Sequence, residues 1–183
     1  MIIDRAWAMP NKDTFLINPI SKLLDKYCLD NLVIIDPFSN GKRRTVKTIT
    51  NDLDPELNAD FHLDAIDFLR DCSSNSIDLV LFDPPYSTRQ VSECYKKLKK
   101  TVNMQTTQSS YWGNMKKEIS RIVKDGGKVI TCGWNSGGRG KSNGVEINEV
   151  LIVAHGGWHN DTIVTVETKN NTCITKHKGL SLI

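Results

Sequence analysis

The apolar run Ile77-Asp78-Leu79-Val80-Leu81-Phe82 is stopped by Asp83-Pro84-Pro85-Tyr86, and that junction constrains the fold more than any other stretch of the chain. A short apolar run of this kind reads as a buried strand of an α/β sheet. Two consecutive prolines cannot donate to a β ladder and hold φ at about −65°, so the strand must stop there with the Pro84 carbonyl turned outward. A carboxylate, a rigid turn and an aromatic ring therefore stand together at a strand's end, where open α/β sheets place their chemistry. Such a group suits a flat amine.

The rest of the chain alternates strand and helix signals. Ile20, Leu23, Leu24 and Tyr27 have amphipathic-helix spacing over 18–30, with Asn18-Pro19 as a cap and first-turn proline. Leu32–Ile35 reads as a buried strand ending in Asp36-Pro37-Phe38-Ser39-Asn40-Gly41, followed by Lys42-Arg43-Arg44 and a short strand at 46–50. A turn at 51–55, a helix at 64–69, the strand at 77–82, a long polar segment at 87–108, a helix at 109–124 and a strand at 128–132 come next. The β-branched stretches 146–154 and 162–168, separated by His155-Gly156-Gly157-Trp158-His159-Asn160-Asp161, read as a closing hairpin. This order predicts a three-layer α/β, Rossmann-like fold with a mostly parallel sheet and an antiparallel edge hairpin.

With 183 residues, 39% of them hydrophobic, the chain is long enough for a real core and is expected to form one domain over 1–183. A net charge of +3 and a pI near 8.6 are only mildly basic, so any affinity for nucleic acid must come from a local patch. Cys28, Cys72, Cys94, Cys132 and Cys173 contain no CxxC pair and are odd in number, which fits neither a disulfide framework nor a zinc site. His155 and His159 lack neighbours at metal spacing, so no metal is expected; they read as lining a hairpin loop near the site. Without a membrane-span-length apolar window or a leader pattern, the reading is of a soluble, cytoplasmic protein.

Asp83-Pro84-Pro85-Tyr86 resembles motif IV of the amino-methyltransferases, which methylate the exocyclic nitrogen of adenine or cytosine in nucleic acid with S-adenosylmethionine. Asp36-Pro37-Phe38-Ser39-Asn40-Gly41 resembles their motif I, although of its two usual glycines only Gly41 is present. The resemblance implies that this turn approaches the methionine part of the cofactor, with Asp36 accepting from its ammonium group. It implies that Asp52 binds the ribose hydroxyls, with Asp54 the competing choice, and that Asp64-Ala65 meets the cofactor's adenine. Asp64 can also be a simple helix cap. Residues 10–15 and 18–20 resemble motif X, which closes over the methionine end and brings in Phe15. The likeness spans roughly residues 5 to 168. The motif order is that of groups distinguished by where a large target-recognition domain is inserted, and this chain has no room for one. Gly133-Trp134-Asn135 and the stretch 146–155 look most like small phage or prophage adenine enzymes of restriction-modification type.

The chemistry so implied is N6-adenine methylation of DNA. An exocyclic amine has its lone pair delocalised into the ring; Asp83 and the Pro84 carbonyl would accept its two hydrogens and point the lone pair at the methyl group. Pro85 makes the turn rigid, Tyr86 would stack on the base, and the base must be flipped out or single-stranded. Asp83 would thus also face the cofactor. Arg89, Lys96, Lys97, Lys99 and Lys100, with Tyr95 among them, are the first candidates for DNA phosphates, and Arg139 and Lys141 the second. The competing reading of 87–108 is a solvated helix face, because Val91, Cys94 or Tyr95, and Leu98 have helical spacing. Rival functions are cytosine-N4 or RNA base-amine methylation, a non-catalytic nucleic-acid-binding subunit, and glutamine side-chain methylation, which would show Asn in place of Asp83. Target recognition is left to loops, to a second copy of the chain or to a specificity partner.

Overall fold

Strand and helix patterns alternating along the chain close into a seven-stranded sheet in the order β1-β6-β7-β5-β4-β2-β3. The structure, a computed structural model, describes residues 1–99, 109–136, 138 and 144–170. Its strands are β1 (Ile2–Trp7), β2 (Ile34–Asp36), β3 (Ile49–Thr50), β4 (Ile77–Phe82), β5 (Val123–Gly133), β6 (Val145–Ala154) and β7 (Thr162–Lys169). Its helices are α1 (Asn18–Tyr27), α2 (Ala65–Asp71), α3 (Thr88–Lys97) and α4 (Ser109–Ile122), with a 3-10 turn at Thr14–Leu16. Only β7 runs against the others, pairing antiparallel with β5 on one side and β6 on the other. The hairpin expected at the end of the chain is therefore present, but it is not the border of the sheet. The short N-terminal strand β1, which the sequence reading did not foresee, pairs parallel with β6 and lies outside it.

The period-2 pattern of β4 explains the layers. Leu79 and Leu81 join Ile20, Leu23 and Leu24 of α1 in one buried cluster, whereas Val80 and Phe82 join Phe68 and Leu69 of α2 and Met115 and Ile119 of α4 in another. The sheet thus has a helical layer on each face.

Local chemistry sets several helix starts. Asp64 caps α2 by accepting from the Ile66 N–H at 3.2 Å, and the Ser87 hydroxyl caps α3 through the Gln90 N–H at 3.2 Å. For α1 the cap position is Ile17 rather than Asn18, without a side-chain hydrogen bond, and Pro19 in the first turn does the starting. The strand expected at 46–50 is reduced to Ile49–Thr50, since the basic segment before it is drawn into side-chain contacts: Arg43 bonds the Thr48 carbonyl at 2.6 Å and Arg44 the Ser21 carbonyl at 2.7 Å.

Candidate active site at the carboxyl edge of the sheet

β2 and β4 are adjacent and parallel, with Ile35 opposite Val80, so their carboxyl ends bring Asp36 and Asp83 together. The chain leaves β2 outward to β3 and returns to the other side at β4, which makes this gap the switch point where ligands of open α/β sheets bind. Two cavities open there, of about 620 and about 110 Å³. Lys12, Thr14, Phe38, Asn40 and Asp83 line both, so Asp83 stands on the boundary between them.

The turn after β2 is held by its own backbone. Asp36 accepts from the Phe38 N–H at 3.0 Å, and the Asn51 N–H donates to the Asp36 carbonyl at 2.9 Å. The side chain of buried Asn51 donates to the carbonyls of Pro37 and Leu63, both at 3.1 Å, tying this turn to the segment before α2. Sequence reasoning missed Asn51, and its signal is a buried amide that must find all its partners. Asn40 and Gly41 take φ of 46° and 68°, two left-handed residues in succession. Asn is among the few residues that tolerate this, which explains how the turn forms with one glycine. A Cβ on Gly41 would come within 3.2 Å of the Asn58 nitrogen. Ser39, from the same turn, lines the smaller cavity beside Phe15, and its buried hydroxyl has no hydrogen-bond partner among the described residues.

Asp52 accepts from the N–H groups of Asn40 at 2.8 Å and Asp54 at 2.9 Å, one on each oxygen, and faces the larger cavity. Each oxygen retains a lone pair for a ligand. Asp54 lines the same cavity but is already engaged: the Glu56 N–H and the Lys97 ammonium, 3.0 and 3.3 Å away, hold it below the usual carboxylate range. This geometry favours Asp52 over Asp54 for a pair of hydroxyls. Asp52→Ala is expected to weaken cofactor binding by about 1–3 kcal/mol, measured by calorimetric titration; unchanged affinity would transfer the contact to Asp54.

Asp64 and Ala65 lie farther along the larger cavity. The Asp64 carboxylate receives the Tyr111 hydroxyl at 3.2 Å and the Tyr95 hydroxyl as well. Of its roles as read from sequence the cap is present, and the carboxylate lines the cavity where a cofactor's adenine was expected, together with two tyrosines that the sequence reading did not assign to it. Tyr95 belongs to α3, whose inner face, Val91 and Tyr95, is buried against the cavity.

Asp83 receives the Tyr86 hydroxyl on Oδ1 and is also hydrogen-bonded by Thr14. Burial raises its pKa above the usual carboxylate value, against the pull of these two hydroxyls. Burial also raises Asp36 well above the usual range, and the neighbouring carboxylates of Asp83 and Asp52 add to it, against the pull of the Phe38 N–H. The turn itself is clamped: the Trp112 indole N–H donates to the Pro85 carbonyl at 3.0 Å, and the Tyr86 N–H donates to the Gln90 side chain at 2.6 Å. Among the described residues no hydrogen bond reaches the Pro84 carbonyl. The Tyr86 ring meets Trp134 edge-to-face, with centroids 5.5 Å apart. Neither Trp112 nor Trp134 was singled out as a site residue from sequence, since nothing local links α4 or the end of β5 to the proline turn.

The basic candidates separate. Arg89 is paired with Glu93 at 2.8 Å, and Lys97 turns to Asp54 at the cavity rim. Lys96 and Lys99 are exposed and form no ion pair among the described residues. Lys100, Arg139 and Lys141 lie outside the described residues. His155 does not face the site: it bonds the Ala8 carbonyl and the Thr162 hydroxyl, each at 2.8 Å, and joins the ends of β1 and β7.

No protein-family model matches the sequence, and no curated protein does. Solved structures do match the fold. TrmN from Thermus thermophilus superposes with a TM-score of 0.53 at 16% identity over 84% of this chain, which spans about half (49%) of that protein. The 1,6-didemethyltoxoflavin-N1-methyltransferase of Burkholderia thailandensis, solved with S-adenosylhomocysteine, gives 0.59 at 11% identity, covering 84% of this chain and 77% of that one. A TehB-like SAM-dependent methyltransferase from Corynebacterium glutamicum gives 0.51 at 16%, covering 82% and 86%. The chain has the Rossmann-like fold of the S-adenosylmethionine-dependent methyltransferases. No helix among the described residues is long and apolar enough to cross a membrane.

Proposed function

We propose that the protein transfers a methyl group from S-adenosylmethionine to the N6 amine of adenine in DNA. The observation that carries this reading is the position of Asp83: a half-buried carboxylate on a clamped Asp-Pro-Pro-Tyr turn, at the boundary of a nucleoside-sized cavity.

The residues present fit the cofactor in charge and in shape. Asp52, Asp54, Asp64, Asp83 and Glu93 face the larger cavity against Lys12 and Lys97, an acidic surplus suited to a sulfonium. The smaller cavity mixes Asp13, Asp36 and Asp83 with Lys12, Lys42 and arginines, as a zwitterionic amino-acid end requires. The Ser39 hydroxyl, without a partner among the described residues, supplies a further hydrogen-bonding group there. Asp36, Ser39 and Phe15 would hold the methionine end, Asp52 the ribose, and Asp64-Ala65 the adenine. When bound, the cofactor supplies an electrophilic methyl group. Asp83 and the Pro84 carbonyl would accept hydrogen bonds from the two hydrogens of the target amine, aim its lone pair at that methyl group and stabilise the positive charge that develops on nitrogen as the bond from sulfur to methyl breaks; Asp83 would then take the proton that the methylated nitrogen releases.

Mass analysis of nucleosides from DNA and RNA incubated with the protein and labelled cofactor tests this reading. N6-methyladenine from DNA supports it, N4-methylcytosine or a methylated RNA base would reassign the substrate, and no methylated nucleoside would overturn it.

The exposed lysines after the turn serve the same substrate in this reading. Replacing Lys96 and Lys99 by glutamine, with Lys97 left to its pair with Asp54, should weaken DNA binding similarly across sequences and flatten its salt dependence. An unchanged slope, measured by fluorescence anisotropy over a salt series, would make this a solvated helix face and direct attention to Arg139 and Lys141.

A further inference from the structure

Three of the chain's four tryptophans lie along the same edge of the sheet as Asp83 and are exposed: Trp134 by 43%, Trp7 by 65% and Trp158 completely. The fourth, Trp112, is the one that clamps Pro85. Trp134 follows the end of β5 and Trp7 ends β1, while Trp158 sits in the loop joining β6 to β7 at that same edge. In the sheet order β4-β5-β7-β6-β1 these residues extend from the proline turn to the far border. Three strand spacings separate β5 from β1, about 14 Å.

The outer part of this row is built, not frayed. His155 bolts the loop to both neighbouring strands through the Ala8 carbonyl and the Thr162 hydroxyl. Gly156 and Gly157 follow with φ of 70° and 58°, a left-handed pair that turns the chain outward and presents Trp158 to solvent. The Trp7 indole lies against this turn, its Nε1 3.5 Å from where a Cβ on Gly156 would stand, an ordinary van der Waals distance. Arg5 stands two residues before Trp7, on the same side of β1, exposed and without an ion pair among the described residues. Indoles held on a rigid support, beside a cation and continuous with the proposed base site, match the chemistry by which single-stranded nucleic acid is bound: base stacking with sparse phosphate contact.

We infer that this half of the carboxyl edge is a track for the nucleic-acid strand flanking the target base, with Trp134 nearest the flipped base and Trp7 and Trp158 stacking on flanking bases. The inference rests on the proposed function, and it adds a second contact surface, on the opposite side of the proline turn from α3.

The test uses the full chain and a short labelled single-stranded DNA of mixed sequence with one central adenine. The double variant Trp7→Ala, Trp158→Ala should bind it at least ten-fold more weakly, given what each lost stacking contact is worth. Its salt slope should stay that of the wild type, unlike the lysine variant, because stacking releases no counterions. Trp158→Phe should restore most of the loss due to Trp158→Ala. Cofactor affinity and Tm should be unchanged, since both side chains are solvent-exposed. Unchanged DNA affinity would overturn the track. It would also be overturned if sedimentation showed the wild type to be a dimer and the weakened variant a monomer, for the face would then be an interface between two copies. Failure of the proposed function is read separately: wild-type protein that binds this DNA through the indoles but transfers no methyl group would remove the reaction and leave the track standing.

Discussion

If the proposed reaction holds, Asp83→Ala is expected to lower methyl transfer by about 10²–10³-fold or more, because it removes the group that would face the amine as charge develops on nitrogen. Cofactor affinity should largely survive, as Asp36, Asp52 and Asp64 hold their own places in the two cavities. The measurements are single-turnover transfer of a labelled methyl group and calorimetric titration of the cofactor. A variant that keeps its activity, or one that loses the cofactor altogether, would show that Asp83 has a different role. The pH dependence follows from its environment. Only ionised Asp83 accepts both from Tyr86 and from an amine, and burial raises its pKa, so activity should increase with pH through a value above the ordinary carboxylate range. In Tyr86→Phe the ring remains but the Oδ1 hydrogen bond is lost; this bond favours the charged form, so the acid limb should move to still higher pH.

Asp36→Asn should separate binding from stability. Its carboxylate is 3% exposed and is raised well above the usual range by burial first, with Asp83 and Asp52 adding repulsion. In the folded protein without ligand it therefore keeps its proton to a higher pH than in the unfolded chain. Stability is greatest, as far as this group is concerned, below the unfolded carboxylate value, and falls as pH rises through the folded value. Asparagine keeps an acceptor for the Phe38 N–H and carries no charge at any pH. The variant's stability should thus lack that decline and exceed the wild type's at neutral pH, by about 2–4 °C in Tm for each kcal/mol relieved. The same change should weaken cofactor binding by about 1.5–3 kcal/mol, the loss of a hydrogen bond between charged groups. Thermal melts from pH 4 to 8, on the order of the window over which carboxylates titrate, together with cofactor titrations, read both effects. A destabilised variant that still binds the cofactor normally would make Asp36 a structural residue of the turn. Carboxylates raised by burial and by one another's charge mark this edge as a candidate site independently of motif likeness.

Much of this site was legible in the chain because its signals are local. Asp83 follows an apolar run and precedes two prolines, so the strand, its stop and the carboxylate standing at its end are dictated by neighbours in sequence. Asp36 and Asp52 likewise follow short β-forming stretches, and Asp64 precedes a helix as a cap does. Helical spacing also placed Ile20, Leu23 and Leu24 on one face of a helix, the face that packs on Leu79 and Leu81. What these signals cannot state is which elements become neighbours. β7 enters between β5 and β6 by pairing antiparallel with both rather than with its neighbour in sequence alone, and that residues 2–7 form a further strand depends on pairing with β6, Ile2 opposite Glu149 toward the other end of the chain. The exposed side chains of β1 carry no alternation to announce it. Tyr95 and Tyr111 reach Asp64 across 31 and 47 residues, Trp112 reaches Pro85 across 27, and Lys97 turns to Asp54 instead of joining its exposed neighbours. A hydrogen bond between distant residues is specified by no local preference and arises only once packing has set both backbones. The sequence by itself therefore determined the strand ends and the carboxylates they carry. Only the tertiary structure decided how those carboxylates are buried, clamped and charged against one another, because burial and electrostatic repulsion are properties of the assembled sheet edge.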